Sequence, residues 1–117
     1  MQHIIEALRS LRKTFGSMVT GTRLALLLYL YFFGPQPVSA VVKSLGYTWS
    51  EIDRLIKKLE EEKLIVARKL PTKSGVRTII ALTDRGIELV ENIIENLRKV
   101  VNATEAQRTQ RNAQAIE

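Results

Sequence analysis

The apolar spacing of this chain drops near its middle from a helical period to a period of two, and that change limits the folds open to it. From Thr48 to Ile65 the sequence reads TWSEIDRLIKKLEEEKLI. Ile52, Leu55, Ile56 and Leu59 fall at i, i+3, i+4 and i+7, one apolar stripe of a helix. Thr48-Trp49-Ser50-Glu51 is a capping box. The Thr48 hydroxyl can accept from the amide of Glu51, and the Glu51 carboxylate can reach back to the amide of Thr48. Beyond Lys63 the period drops to two. Leu64–Leu70 (LIVARKL) and Val76–Leu82 (VRTIIAL) are strand-like and rich in β-branched residues. Pro71–Gly75 between them suits a hairpin loop. A helix feeding directly into a hairpin is therefore expected at the centre of the chain.

The helix exposes Ser50, Asp53, Arg54, Lys57, Lys58 and Glu61 opposite its apolar stripe. A solvated surface helix carries the same pattern, so the role of this face depends on its neighbours. Trp49 stands three residues before Ile52, at the edge of the stripe, and a packing role is expected for it over a surface contact. The hairpin carries Arg68, Lys69, Lys73 and Arg77 on its flanks and tip. Such cations can discourage edge-to-edge aggregation; on a hairpin beside a helix-turn-helix they also suit a basic wing.

Ahead of the central helix, Val38–Leu45 (VSAVVKSL) predicts a two-turn helix with Val38, Val41, Val42 and Leu45 inward. Gly46-Tyr47 then leads to the capping box, and two short helices joined by a glycine-containing turn form a helix-turn-helix. Pro35-Gln36-Pro37 is a short extended connector. Leu24–Phe33 (LALLLYLYFF) is a ten-residue apolar run, about half of the ~20 residues that span a bilayer. It is expected as a helix buried nearly all round, capped by Thr20 or Thr22 and ended by Gly34-Pro35. Residues 2–15 predict an amphipathic helix with Ile4, Ile5, Leu8 and Leu11 on one face. After the hairpin, Thr83 and Asp84 start a last helix over about 84–102. In it Ile87, Val90, Ile94, Leu97 and Val101 keep a and d spacing over two heptads. Residues 103–117 hold almost no large apolar side chains and are expected as a frayed or disordered tail.

Composition narrows the function. The 117 residues suit one domain, carry a net charge of +6 and have a sequence pI of about 9.9, the electrostatic footprint of a nucleic-acid binder, which an anionic membrane would also attract. No secretory signal is visible. The absence of Cys removes disulfides and thiolate metal sites, and it fits a reducing, cytoplasmic setting. One histidine, His3, without cysteine cannot assemble a zinc site. No phosphate-cradling loop, nucleophile motif or metal cluster points to an enzyme. No cofactor is expected, and no residue set marks a small-molecule effector site.

The ordered elements resemble a known family. Thr22-Arg23-Leu24-Ala25-Leu26-Leu27 looks like the opening helix of MarR/ArsR-type archaeal and bacterial winged-helix regulators. Val41–Thr48 resembles their first helix-turn-helix element and turn, and Ser50–Glu60 their recognition helix. Glu62–Ile65 is similar to the exit into the wing, and Leu82-Thr83-Asp84-Arg85-Gly86 to the L-T-x-x-G start of the following helix. The likeness covers about residues 20–100. It implies a mainly α fold with a small β-hairpin: helix-turn-helix about 38–63, wing about 64–82. It also implies a homodimer joined through terminal helices, with recognition helices in successive major grooves and wings on the backbone or minor groove of double-stranded DNA. Ile4, Ile5, Leu8, Leu11, Ile87, Val90, Ile94, Leu97 and Val101 are the residues available for that dimer. Two departures stand out. The position of Asp53 is often small and uncharged in the family, and the Cys/His ligands of its metal-sensing members are absent.

In a DNA role, Lys43, Lys57, Lys58, Lys73 and Arg77 are candidates for phosphates, with Arg68 following the backbone. Ser50, Asp53 and Arg54, with Tyr47, Thr48 and Trp49 near the helix start, are within range of base edges. Arg54 can bind a guanine bidentately and Asp53 can accept from a cytosine amino group. A protein-interaction module, or a nonspecific chromatin-type DNA-binding protein, remains open beside a sequence-specific regulator, because fold does not fix function.

Overall fold

The computed structural model describes Ile5 and residues 21–116. Their elements run α1 (Gly21–Phe33), β1 (Gln36–Pro37), α2 (Val38–Leu45), α3 (Trp49–Glu61), β2 (Ile65–Thr72), β3 (Gly75–Leu82) and α4 (Asp84–Ile116). Residues 21–90 form one compact unit. The helix from Glu91 onward belongs to a second, and each is described by itself.

The first unit is a winged helix-turn-helix. Its core is aliphatic: Leu26, Leu27, Leu30, Val38, Val41, Ile52, Leu55, Ile56, Leu59, Leu64, Ile65, Ile80 and Val90 are all buried. The i, i+3, i+4, i+7 set of α3 accounts for four of them. The turn between α2 and α3 is set by Gly46, which closes α2 at φ 74° while its amide donates to the Val42 carbonyl at 2.9 Å. That left-handed conformation suits a residue without a β-carbon. The Thr48 hydroxyl then accepts from the amide of Glu51 at 3.1 Å, so the hydroxyl half of the capping box forms as the sequence predicts.

α3 ends in a Schellman arrangement. The amide of Leu64 donates to the Leu59 carbonyl and that of Lys63 to the Glu60 carbonyl, both at 2.9 Å. Lys63 occupies the left-handed position usually given to glycine, at φ 62°. Its carbonyl is held by the hydroxyl of Thr83, which donates to it at 2.7 Å.

The sheet is larger than a hairpin. Gln36 and Pro37, expected as a bare connector, pair with Ile80 and Ile79 and make a third strand, in the order β1-β3-β2. The wing is also longer than the period-two segments indicate. Pairing of β2 with β3 runs from Ile65–Leu82 out to Thr72–Gly75 and leaves only Lys73 and Ser74 as the turn. Pro71 falls inside β2 rather than in a loop. It is tolerated there because β2 is an edge strand, where a missing N–H costs no ladder bond. The Thr72 hydroxyl donates to the Gly75 carbonyl at 2.6 Å and closes the tip.

Two expectations about helices need correction. α1 is not buried nearly all round: Arg23, Leu26, Leu27 and Leu30 are buried, but Phe32 and Phe33 at its end are 69% and 66% exposed. A thirteen-residue helix packed on one domain covers one face, and its last turn runs past that cover. The last helix does not stop near 102 but continues to Ile116. Ala, Gln, Glu and Arg dominate 103–116, and these are strong helix formers that need no buried face to keep the helical conformation.

Candidate nucleic-acid interface

On a helical wheel, Ser50, Arg54, Lys57 and Glu61 lie directly opposite the buried stripe of α3. Ser50, Asp53, Arg54, Lys57 and Lys58 are all exposed. Asp53 is not at the centre of that face. It lies on one flank, one turn after Trp49, while Lys58 lies on the other flank. Lys43, in the last turn of α2, is exposed as well.

The wing register sorts its cations by face. Residues directly opposite in an antiparallel pair project to the same side. The Ile65–Leu82 and Ala67–Ile80 pairs lie on the buried side, so Arg68 (opposite Ile79) and Leu70 (opposite Arg77) lie on the other. Arg68 and Arg77 therefore share one exposed face, two rungs apart, with Lys69 on the opposite face and Lys73 in the turn. Arg77 also donates to the Ser74 hydroxyl at 3.3 Å.

Two residues, Tyr47 and Trp49, do other than the sequence suggests, while Thr48 makes the cap that it predicts. The hydroxyl of Tyr47 donates to the Thr22 carbonyl at 2.6 Å and ties the helix-turn-helix to the start of α1. Partial burial, and then the nearby Glu51 carboxylate, push its phenol above the usual tyrosine pKa. Its aromatic body, not its hydroxyl, is what remains for a ligand. Thr48 likewise spends its hydroxyl oxygen as an acceptor in the cap. Trp49, expected to pack, is 57% exposed. It occupies the first position of α3, where the Cβ direction tilts the side chain back toward the helix start and away from the core.

The support of α3 comes partly from residues whose roles the sequence does not announce. Arg23 of α1 forms an ion pair with Glu62 at the end of α3, their side chains 7% and 19% exposed. One member of the acidic run 60–62 is thus a half-buried anchor, while Glu60 and Glu61 are exposed. The L-T-x-x-G stretch also has a mechanical reason. Thr83 caps α4 by accepting from the Gly86 amide at 3.0 Å, and its own amide donates to the Leu64 carbonyl at 3.0 Å. Together with its bond to Lys63, Thr83 clamps the wing base to the exit of the recognition helix. The spacing T-x-x-G is visible in the sequence, but not the close approach behind it.

The expected dimerisation residues do not form one class. Val90 is fully buried within the first unit and is a core residue, a correction to its assignment. The domain body covers the start of α4, so an a/d position there packs inward. Ile87, in the same turns, is 38% exposed. In the second unit Ile93 is buried, Ile94 is half-buried, and Leu97 and Val101 are 38% and 52% exposed. Ile5 is 46% exposed, and Ile4, Leu8 and Leu11 lie outside the described residues.

Among the described residues no cluster of His, Asp or Glu could hold a metal ion, and no helix is long and apolar enough to cross a membrane. A shallow apolar groove in the first unit, walled by Leu30, Tyr31, Pro35, Ala81 and Ile87, has no charged wall to orient a polar effector.

Comparison with solved structures places this architecture. A transcriptional regulator homologue from Pyrococcus horikoshii OT3 is 25% identical, with a TM-score of 0.69 over 89% of this chain and 98% of its own. RV1404 from Mycobacterium tuberculosis is 23% identical, with a TM-score of 0.75 over 91% of this chain and 71% of that one. A MepR mutant from S. aureus, bound to an oligodeoxyribonucleotide, is 21% identical, with a TM-score of 0.68 over 95% of this chain and 87% of that one. No family model matches the chain, and no curated protein matches it in sequence. The chain has the winged-helix fold of the MarR-type transcriptional regulators. The resemblance read from the sequence holds at the level of three-dimensional structure.

Proposed function

We propose that this protein binds double-stranded DNA sequence-specifically as a homodimer and regulates transcription. The observation that supports the proposal is the exposure, on one unit, of two sets of cations: Arg54, Lys57 and Lys58 on α3, and Arg68, Lys73 and Arg77 on the wing. A helix of this diameter fits the major groove, and a hairpin beside it reaches the flanking backbone or minor groove. The oligodeoxyribonucleotide bound to the structurally similar MepR mutant supports the same reading.

The roles divide by chemistry. Lys43, Lys57, Lys58, Arg68, Lys73 and Arg77 neutralise phosphates and supply affinity without sequence information. Ser50 and Arg54 read base edges from the outermost strip of α3, and Asp53 reads from its flank. The exposed apolar positions Ile5, Ile87, Leu97 and Val101, with half-buried Ile94, supply the dimer contact. A two-fold dimer sets half-sites about one helical turn apart, ~10–10.5 bp.

Selection of bound duplexes from a random DNA pool tests this. A palindromic consensus is the expected result. Recovery without sequence preference would leave a chromatin-type binder instead. Charge reversal at Arg54 and Lys73 separates a protein-docking module: partner binding that survives reversal, in a chain that never bound DNA, overturns the proposal.

A further inference from the structure

A groove opens between the starts of α2 and α3 and the outer part of β3. Its walls are Val38, Ser39, Trp49, Val76, Arg77 and Thr78. Ser39 and Thr78 belong to none of the contact sets assigned above, and Trp49 enters them only as a residue within range of base edges. Trp49 is 57% exposed and Val76 is 70% exposed, although both are large apolar side chains on a unit with an ample core. The walls also carry three kinds of hydrogen-bond donor: two hydroxyls, an indole N–H and, from the other face of β3, the guanidinium of Arg77, which also donates to the Ser74 hydroxyl. No carboxylate stands among them, although Asp53 lies one turn along the flank of Trp49.

That composition matches one chemical partner. A sugar–phosphate strand presents an anionic oxygen surface, served by the hydroxyls, the indole N–H and Arg77, and an apolar deoxyribose face, served by the indole ring and Val76. Base edges do not fit as well, because the groove holds no amide side chain to fork onto adenine and no carboxylate to accept from cytosine. The place in the fold agrees. The groove lies between the first turn of α3 and the wing, where the strand running from the major groove toward the wing contact has to pass.

We infer that this groove seats one strand of the DNA backbone and that Trp49 is a sequence-independent contact for deoxyribose and phosphate. The inference rests on the DNA-binding reading above and adds Ser39, Trp49 and Thr78 to its surface.

The chain has a single tryptophan, so its fluorescence reports on this groove alone. The experiment uses the full chain and a fluorescein-labelled duplex, with anisotropy as the measure of complex formation. Acrylamide quenching of Trp49 is recorded free and at saturation. The expected result is a fall of at least about twofold in the quenching constant on saturation, the same for a selected site and a scrambled duplex. Trp49→Ala is expected to weaken both duplexes equally, by about five- to twentyfold, the scale of an aromatic anchor, and Trp49→Phe to weaken them less. Full complex formation with unchanged quenching overturns the seat and leaves the DNA-binding reading intact. A loss from Trp49→Ala confined to one base change overturns it too, because Trp49 then reads sequence. A chain that binds no duplex at low salt loses both.

Discussion

Gly86 lies so close to the Leu64 carbonyl that a β-carbon on residue 86 would fall 2.2 Å from its oxygen and 3.1 Å from a methyl of Leu82. The same carbonyl accepts the amide of Thr83. The first turn of α4 is thereby fixed on the backbone that leaves the recognition helix. Gly86→Ala is expected to destabilise the fold by about 2 kcal/mol or more, because the obstacle is backbone and cannot rotate aside. Gly21→Ala is the control. Gly21 starts α1 with open space around the added methyl, so its change should be near neutral or slightly stabilising. Urea denaturation of the two variants measures both.

The Arg23–Glu62 pair makes a second prediction. Glu62→Gln replaces the carboxylate that pairs with the nearly buried guanidinium of Arg23 by a neutral amide, and a charge-assisted bond in so dry a place is costly to lose. The loss should be about 2–3 kcal/mol, below the full cost of a dry pair because Glu62 keeps some exposure. The double change Arg23→Met with Glu62→Met should cost less than the sum of its two single changes. A double-mutant cycle by thermal or chemical unfolding checks this, and additive losses would count against the coupling.

Tyr47 distinguishes scaffold from contact. Tyr47→Phe removes the bond to the Thr22 carbonyl and should lower stability by about 0.5–1.5 kcal/mol, while leaving duplex affinity within about twofold. The pH dependence has a fixed sign. A phenol raised above its usual value of 10.0 holds its proton more tightly folded than unfolded. Its contribution is fully present below pH 10 and is lost as pH rises through the folded-state value. The Phe variant should lack that alkaline loss. Stability profiles of the two proteins from pH 7 to 11 show it directly.

Helix identities and the winged-helix order are legible in the sequence because each rests on local chemistry. A cap at Thr48, a glycine at 46 and an aliphatic stripe at 52, 55, 56 and 59 act over a few residues. What the sequence hides depends on separation. Arg23 meets Glu62 across 39 residues, and β1 becomes a strand only because Ile79 and Ile80 lie beside it. Strand extent at the wing tip was set by pairing, not by period, so Pro71 reads as loop in the sequence and sits in a strand in the fold. The polar face of α3 was readable in composition. The placement of Asp53 on its flank emerges once the buried stripe fixes the helix's orientation. Trp49 reads as a packing residue in the sequence because of its spacing from Ile52, whereas its place at the first helical position leaves it exposed.

In the proposed function the exposed cations of α3 and the wing engage the phosphates of duplex DNA. The most direct test is a titration of the full chain against a duplex over a series of salt concentrations. With about six phosphates contacted, log K should fall against log salt with a slope of about −5. Lys73→Ala should reduce that slope by about one without changing sequence preference. Absence of measurable duplex binding at low salt would contradict the account.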